Sequence, residues 1–452
     1  MKLHGTSKIN GLNHLEIGGC DVIEIVKKYG TPLYVMDEDL IREKARRFIK
    51  SFDSVYDEVR VAYAGKAFLN LAMCKLIEEE GLYLDVVSGG ELYTAIKASF
   101  PTQNILFHGN NKTEEELRMA LENKVGRIVV DSFNEIYKLD ALAQEYGVKA
   151  DIYLRLSPGI EAHTHAYIKT GQIDSKFGFP IETGQAIEAV KAALAMDNLN
   201  LKGLHCHIGS QIQEIQPYID AADIMLKFAS KIKDRLQFEM DELDLGGGFG
   251  IYYTQGDKPM DIELLAAQIA DEVNSKIKEY GLKKPCILIE PGRSIVGNSG
   301  TTLYTIGAIK DIPNVRKYVS VDGGMVDNIR PALYNARYEA AIANRMKDGK
   351  DELVTIAGKC CESGDILIRN IEIPKVKEGD ILSIFSTGAY GESMSSNYNR
   401  IPRPGAIFVS GGSCFEISRR ETYDEVIKND VIPDKFIKKD GRKLCPDKCL
   451  KL

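Results

Sequence analysis

Lys66 follows an apolar, strand-like run, Val61-Ala62-Tyr63-Ala64-Gly65, and precedes apolar residues at Leu69, Ala72, Met73, Leu76 and Ile77. That spacing predicts a helix ending at Gly81. A lysine at the carboxyl end of a barrel strand, rigidly held and partly dry, has a lowered pKa and attacks aldehydes. Lys66 is thus a candidate Schiff-base residue. A lone lysine is more often a solvated loop residue, so its neighbours must decide.

Several other groups stand where strands should end. His205 and His207 are two apart, which puts both on one strand face. A metal pair, an imidazole stacked on a flat ligand and satisfied core histidines all fit, although no third ligand follows at metal spacing. Leu245-Gly246-Gly247-Gly248-Phe249-Gly250 lets backbone N–H groups approach an anion. It is neither the G-x-G-x-x-G pattern nor a P-loop. Glu290-Pro291-Gly292-Arg293 closes another apolar run, and Ser210 adds a hydroxyl beyond His207. Barrel enzymes commonly bind phosphate after their seventh and eighth strands. Glu290 itself, behind Ile287-Leu288-Ile289, needs a partner if ionised. A protonated pyridine nitrogen or an arginine would serve.

The elements that must position these groups repeat. Strands are expected near Arg60–Ala64, Tyr83–Val87, Asn104–Phe107, Arg127–Val130, Asp151–Leu156, Leu201–His207, Glu242–Leu245 and Cys286–Glu290, with helical stretches between them. Thr113-x-x-Glu116 and Ser132-x-x-Glu135 read as capping boxes. Eight strand–helix units over this length fit a (β/α)8 barrel, with a doubly wound open sheet as the competing arrangement. After about residue 300 strands follow one another without helices: Leu303–Ile309, Lys317–Val321, Leu353–Ala357, Ile366–Ile373, Ile381–Phe385 and Ala406–Val409. The expected organisation is a barrel over 38–300, a β-sandwich-like domain from 1–37 and 301–433, and a flexible tail over 434–452. That tail holds Cys445 and Cys449, a metal or redox pair or simply two free thiols.

Of the 452 residues 44% are hydrophobic and 27% charged, ordinary values for a globular chain. A net charge of −7 argues against general nucleic-acid affinity. No apolar run reaches membrane-spanning length and no signal-peptide stretch opens the chain. Nine cysteines without framework spacing suggest free thiols in a reducing cytoplasm.

Taken in order, the motifs resemble the fold-type III pyridoxal-phosphate decarboxylases, and the diaminopimelate decarboxylase family in particular. They are Tyr63-Ala64-Gly65-Lys66-Ala67, Ser88-Gly89-Gly90-Glu91, His108-Gly109-Asn110-Asn111-Lys112, His163-Thr164-His165 through Thr170-Gly171-Gln172 to Ser175-Lys176-Phe177-Gly178, and His205-Cys206-His207-Ile208-Gly209-Ser210. Glu290-Pro291-Gly292-Arg293, Asn328-Ile329-Arg330-Pro331-Ala332-Leu333-Tyr334, Cys361-Glu362-Ser363-Gly364-Asp365 and Gly388-Ala389-Tyr390-Gly391 complete the set. The resemblance covers about Leu15 to Val409. Gly65, Phe68, Lys359 and Cys360 depart from the family's usual residues.

The resemblance implies an alanine racemase/ornithine decarboxylase-like fold. It also implies pyridoxal 5'-phosphate as cofactor and a homodimer with shared active sites. Lys66 would carry the cofactor and Glu290 would pair with its ring nitrogen. His207 would stack on the ring. Ser210, Gly246, Gly247, Gly248, Gly292, Arg293 and Tyr390 would hold the phosphate region, with Arg293 and Tyr390 also near substrate. Cys361 of the second subunit would be the acid that reprotonates the carbanion. Arg330 would take the distal carboxylate of the substrate, Tyr334 would add a hydroxyl, and Glu362 would meet the distal ammonium. The implied reaction is meso-2,6-diaminopimelate to L-lysine and CO2, the last step of lysine synthesis. The alternative is a related decarboxylase acting on carboxynorspermidine, ornithine, lysine or arginine. A racemase-like enzyme and a non-catalytic regulatory homologue are more distant readings.

Overall fold

The computed structural model describes residues 1–160 and 175–436. The run from His163 to Gln172 and the Cys445–Cys449 pair lie outside the described residues. Eight parallel strands form the first body: Val59–Ala64, Tyr83–Val86, Ile105–Phe107, Arg127–Val130, Ala150–Ser157, Leu199–Cys206, Glu242–Asp244 and Cys286–Ile289. Each of the eight predicted strands is present, with ends shifted by a residue or two. The fourth strand pairs with the fifth, and the eighth with the first (Ile289 opposite Val61). The sheet therefore closes on itself, which settles the choice between barrel and open sheet.

The helices pack on the barrel through apolar faces such as Met73, Leu76 and Ile77, all at most 3% exposed. Burying each such side chain is worth about 1.5–3 kcal/mol. After Lys66 the chain makes a 3-10 turn, Gly65–Ala67, before the helix Leu71–Glu79 begins. Leu69 thus precedes the helix, and Asn70 caps it by accepting the Met73 N–H at 2.9 Å. Thr113 and Glu116 form the predicted reciprocal cap. Ser132 caps its helix too, but Glu135 does not return the bond. Its carboxylate instead takes the Asp131 N–H and the buried Lys112 ammonium at 2.7 Å, because a buried cation is the costlier group to leave unpaired.

The second body is a mixed sheet. The long strand Gly300–Ile312 pairs with Leu33–Asp37, Ile381–Phe385 and Arg316–Val321. Leu33–Asp37 sits between Gly300–Ile312 and Gly405–Ser410, parallel to the latter, so the N-terminal segment does join the later strands. Sequence reading missed Ser413–Ser418 and the short strand Ala340–Ile342.

Candidate active site

A cleft of roughly 730 Å³ opens at the carboxyl ends of the barrel strands, where barrel enzymes place their chemistry. Its lining includes Lys66, His207, Ser210, Arg293, Arg330, Tyr334 and Tyr390, seven of the predicted residues. The lining also contains His108, Arg155 and Tyr253.

Lys66 Nζ lies 3.5 Å from Asp85 Oδ2, at the end of the second strand. Burial works to lower its pKa, but the charges of Asp85, Tyr390 and Glu290 outweigh it and leave the ammonium raised above its ordinary value. This corrects the expectation of a lowered pKa. A dry strand end does not depress an amine that shares it with carboxylates.

Glu290 lies beneath the cleft floor and is 4% exposed. Its Oε1 stands 2.6 Å from His108 Nε2, and its Oε2 3.4 Å from His205 Nε2. Burial opposes ionisation of Glu290, yet His108 and His205 hold it well below the usual carboxylate range. Burial pushes His205 down to about 3 despite Glu290, so its ring is neutral at pH 7. Asp244, at the end of the seventh strand, is pushed the opposite way by burial and by the Glu290 charge. Burial and neighbouring charge thus move these two buried acids in opposite directions, Glu290 down and Asp244 up. His108, His205, Asp244 and Glu290 are donor types that a metal accepts, within 4.8 Å of one another. The direct imidazole–carboxylate contacts already pair them without an ion.

His207 is turned from this cluster toward the cleft. Its Nδ1 accepts the Gly247 N–H at 3.3 Å, leaving the ring proton on Nε2. Burial, then Lys66 and Arg155, hold its pKa well below the ordinary value. The glycine turn is jammed against adjacent strand ends. A Cβ on Gly247 would lie 2.0 Å from the Glu290 carbonyl oxygen, and one on Gly248 2.2 Å from that of Gly209. Gly246 and Gly248 have φ of +69° and +99°. Gly292 packs against Ala64 less tightly, where a Cβ would lie 2.9 Å from the Ala64 Cβ. These glycines bring the strand ends together below Ser210 and Arg293 rather than lining the cavity wall.

On the wall, Arg293 donates to Ser210 Oγ at 2.8 Å and to the Tyr253 hydroxyl at 2.5 Å. Its guanidinium lies 4.7 Å from the Tyr390 ring centre. Arg330 begins the short helix Arg330–Tyr334 and donates to the Tyr253 and Tyr338 hydroxyls. Among the described residues, neither Arg293 nor Arg330 has a carboxylate partner, although both are at most 8% exposed.

Cys361 and Glu362 are not brought to this cleft. Both are exposed on the loop between strands Glu352–Ala357 and Ile366–Ile373. The Cys361 N–H donates to Asn399 Oδ1 at 2.7 Å, while Cys360 is buried with its N–H on Asp365.

The residues fit pyridoxal phosphate. Arg293 Nε is buried at the wall without a hydrogen-bond partner, and the Glu290 carboxylate lies below it, held by His108 and His205. An anionic acceptor below and unpaired cations beside it suit a ring with a protonated nitrogen and a phosphate arm.

Sequence reading missed Asp85, Arg155 and Tyr253 as site residues. Asp85 in Tyr83-Leu84-Asp85-Val86 and Arg155 in Tyr153-Leu154-Arg155-Leu156 carried the same signal as Glu290, a charge inside an apolar strand.

A closed parallel barrel with a lysine at its first strand end, a buried glutamate at its eighth and a glycine turn between defines a barrel enzyme built for pyridoxal phosphate. Residues 38–297 match the pyridoxal-binding domain of pyridoxal-dependent decarboxylases. The chain is 54% identical to a diaminopimelate decarboxylase of Bacillus subtilis, covering 95% of this chain and 98% of that protein. It is 55% identical to that of Bacillus methanolicus over 93% of this chain and 98% of the relative. A crystal structure of the M. jannaschii diaminopimelate decarboxylase with L-lysine superposes with a TM-score of 0.88 at 38% identity, covering 95% and 98% of the two chains. The chain therefore belongs to the pyridoxal-phosphate-dependent decarboxylases and, within them, to the diaminopimelate decarboxylase family.

Proposed function

We propose that this chain removes CO2 from meso-2,6-diaminopimelate to give L-lysine, the last step of lysine synthesis, in a cytoplasmic homodimer. The observation that carries the substrate choice is the pair of buried guanidiniums, Arg293 and Arg330, without a carboxylate partner among the described residues. Leaving such cations unpaired is costly, so the cleft wants an anionic ligand there. A bare distal ammonium, as in ornithine or lysine, would worsen the repulsion. A distal amino acid end supplies the missing carboxylate, and Arg330 offers it a planar fork.

Bound pyridoxal phosphate supplies the sink for the electron pair left when CO2 departs. The protein's own groups do the rest. Lys66 would be the point of attachment, its amine giving way to that of the substrate. The Glu290 carboxylate would favour a proton on the ring nitrogen, with His108 and His205 fixing the carboxylate's orientation. His207 would stack on the ring. Ser210, Arg293, Tyr390 and the turn Gly246-Gly247-Gly248 with Gly292 would hold the phosphate arm. Arg330 and Tyr334 orient the distal carboxylate, with Arg293 and Tyr390 beside it. Cys361 delivers a proton from Sγ to the carbon that lost CO2, and Glu362 meets the distal ammonium. Cys361 and Glu362 lie on an exposed loop of their own chain, so in this reading they act on the cleft of a second copy. The barrel domain spans 38–300, and 1–37 with 301–433 form the domain that brings Cys361 across.

Cofactor-loaded protein given meso-diaminopimelate should release CO2 and L-lysine in equal amounts. Failure to form lysine, with turnover of ornithine, arginine, lysine or carboxynorspermidine instead, would replace this reading by the related decarboxylase. Conversion between amino-acid enantiomers without CO2 would point to a racemase.

A further inference from the structure

Tyr253 stands where two guanidinium groups meet. Its hydroxyl oxygen accepts from Arg293 Nη1 at 2.5 Å and from Arg330 Nη1 at 3.0 Å. Arg330 Nη1 is shared with the Tyr338 hydroxyl at 2.5 Å. The two tyrosine rings meet edge-on, with centroids 5.5 Å apart, and Arg330 lies 5.0 Å from the Tyr253 ring centre. All four side chains are at most 8% exposed. They come from distant stretches: the loop after the glycine turn, the helix after the eighth strand, the helix Arg330–Tyr334 and the residues before Ala340.

Two buried cations that share one hydroxyl acceptor repel, and the effect is strong where water is scarce. A group that accepts from both must stand between them while the cleft awaits its ligand. A phenol oxygen has two acceptor lone pairs and one proton to donate. Here both lone pairs are used by guanidiniums, which leaves the O–H to point toward an incoming acceptor. Burial works to raise the Tyr253 pKa, and Arg293 and then Arg330 overcome it, so the phenol sits below its ordinary value. Arg293 Nε has no partner and Arg330 makes no ion pair among the described residues. Each guanidinium thus keeps donors for a carboxylate.

We propose that Tyr253 is a positioning residue that holds Arg293 and Arg330 together as one carboxylate clamp, with Tyr338 fixing its outer half. This rests on the reading that the substrate carries a distal carboxylate. The clamp sets the preference for a substrate with that group over one without it, and it does so without touching the bond that breaks.

The test compares two inhibitors that differ by one carboxylate, L-lysine and 1,5-diaminopentane, on cofactor-loaded wild type and Tyr253→Phe. Bound-cofactor absorbance shows that the variant has folded with its site in place. Tyr253→Phe should weaken L-lysine by about tenfold or more, the loss expected when charge-assisted bonds are disturbed. It should change diaminopentane inhibition by less than about twofold, and raise KM for meso-diaminopimelate with kcat nearly kept. Tyr338→Phe should move L-lysine in the same direction by less, and stands in if Tyr253→Phe does not fold. Equal weakening of both inhibitors would make Tyr253 a general scaffold residue and overturn the proposal. So would no change in either. Wild-type turnover of meso-diaminopimelate tests the substrate reading separately, so the two can fail independently.

Discussion

Lys66 and Cys361 belong to regions built on opposite plans. Lys66 rises from the rim of a closed barrel, inside a cleft, 3.5 Å from a fully buried aspartate. Cys361 rides on an exposed loop of the mixed sheet, held by one backbone bond to Asn399. At the barrel rim, Lys66 shares one cleft with Arg293, Arg330 and Tyr390 of its own chain. The loop presents its thiol to the outside, where its own cleft cannot use it. Under the proposed function, one chain pre-builds the part of the site that binds and leaves the part that delivers a proton to assembly with a second copy.

Removing the rim group should have the largest effect. Lys66→Ala should abolish the protein-linked cofactor absorbance and nearly all turnover, since both attachment and exchange need the amine. Borohydride reduction of wild type followed by peptide mapping should place the cofactor on Lys66; a tag on another lysine would undo the comparison.

Cys361→Ala should keep cofactor and substrate binding but lose about 10²–10⁴ in turnover, the usual worth of a placed acid. Abortive aldehyde and pyridoxamine phosphate should accumulate, which mass spectrometry would detect. Refolding Lys66→Ala with Cys361→Ala sharpens the contrast. In a hybrid one site lacks both groups and the other is intact, so recovery should approach about a quarter of wild-type activity. No recovery, with hybrids shown by native mass spectrometry, would put both groups in one chain.

Arg330→Met should cost about 2–5 kcal/mol in kcat/KM on meso-diaminopimelate, because the distal carboxylate loses its fork in a closed site. Any activity on lysine or ornithine should fall far less; equal losses would make Arg330 part of the scaffold. Cys360→Ala should be nearly silent in steady-state assays, because its side chain is buried beside Asp365 away from the cleft. A reversed pattern, with Cys360 essential and Cys361 dispensable, would move the acid by one residue.

The barrel was legible because it repeats. Eight alternations of a short apolar run with a helical period leave few other folds, and Lys66, His207 and Glu290 sit where such runs end. Glu290 was legible for a second reason, as a charge in an apolar strand needs a purpose. Asp85 and Arg155 carried that signal within strands whose ends held nothing else conspicuous. The state of Lys66 was not legible, since it depends on Asp85 and Glu290 arriving from other strands. The same holds for Glu135, whose local cap gives way to Lys112, 23 residues earlier in the chain. Tyr253 was invisible for a similar reason. Nothing local marks a tyrosine that lies between arginines 40 and 77 residues away.

The strand Leu33–Asp37 has a further consequence. It is flanked by Gly300–Ile312 on one side and Gly405–Ser410 on the other. During synthesis this segment leaves the ribosome early, and neither neighbour exists until the whole barrel has been made. The barrel is therefore a guest inserted into a sheet that cannot close until the strands after it have been made. Pairing across such a span makes this sheet slow to form. An apolar strand waiting that long is exposed to wrong partners. The barrel's early folding would shorten the wait by drawing the two ends of its insertion together.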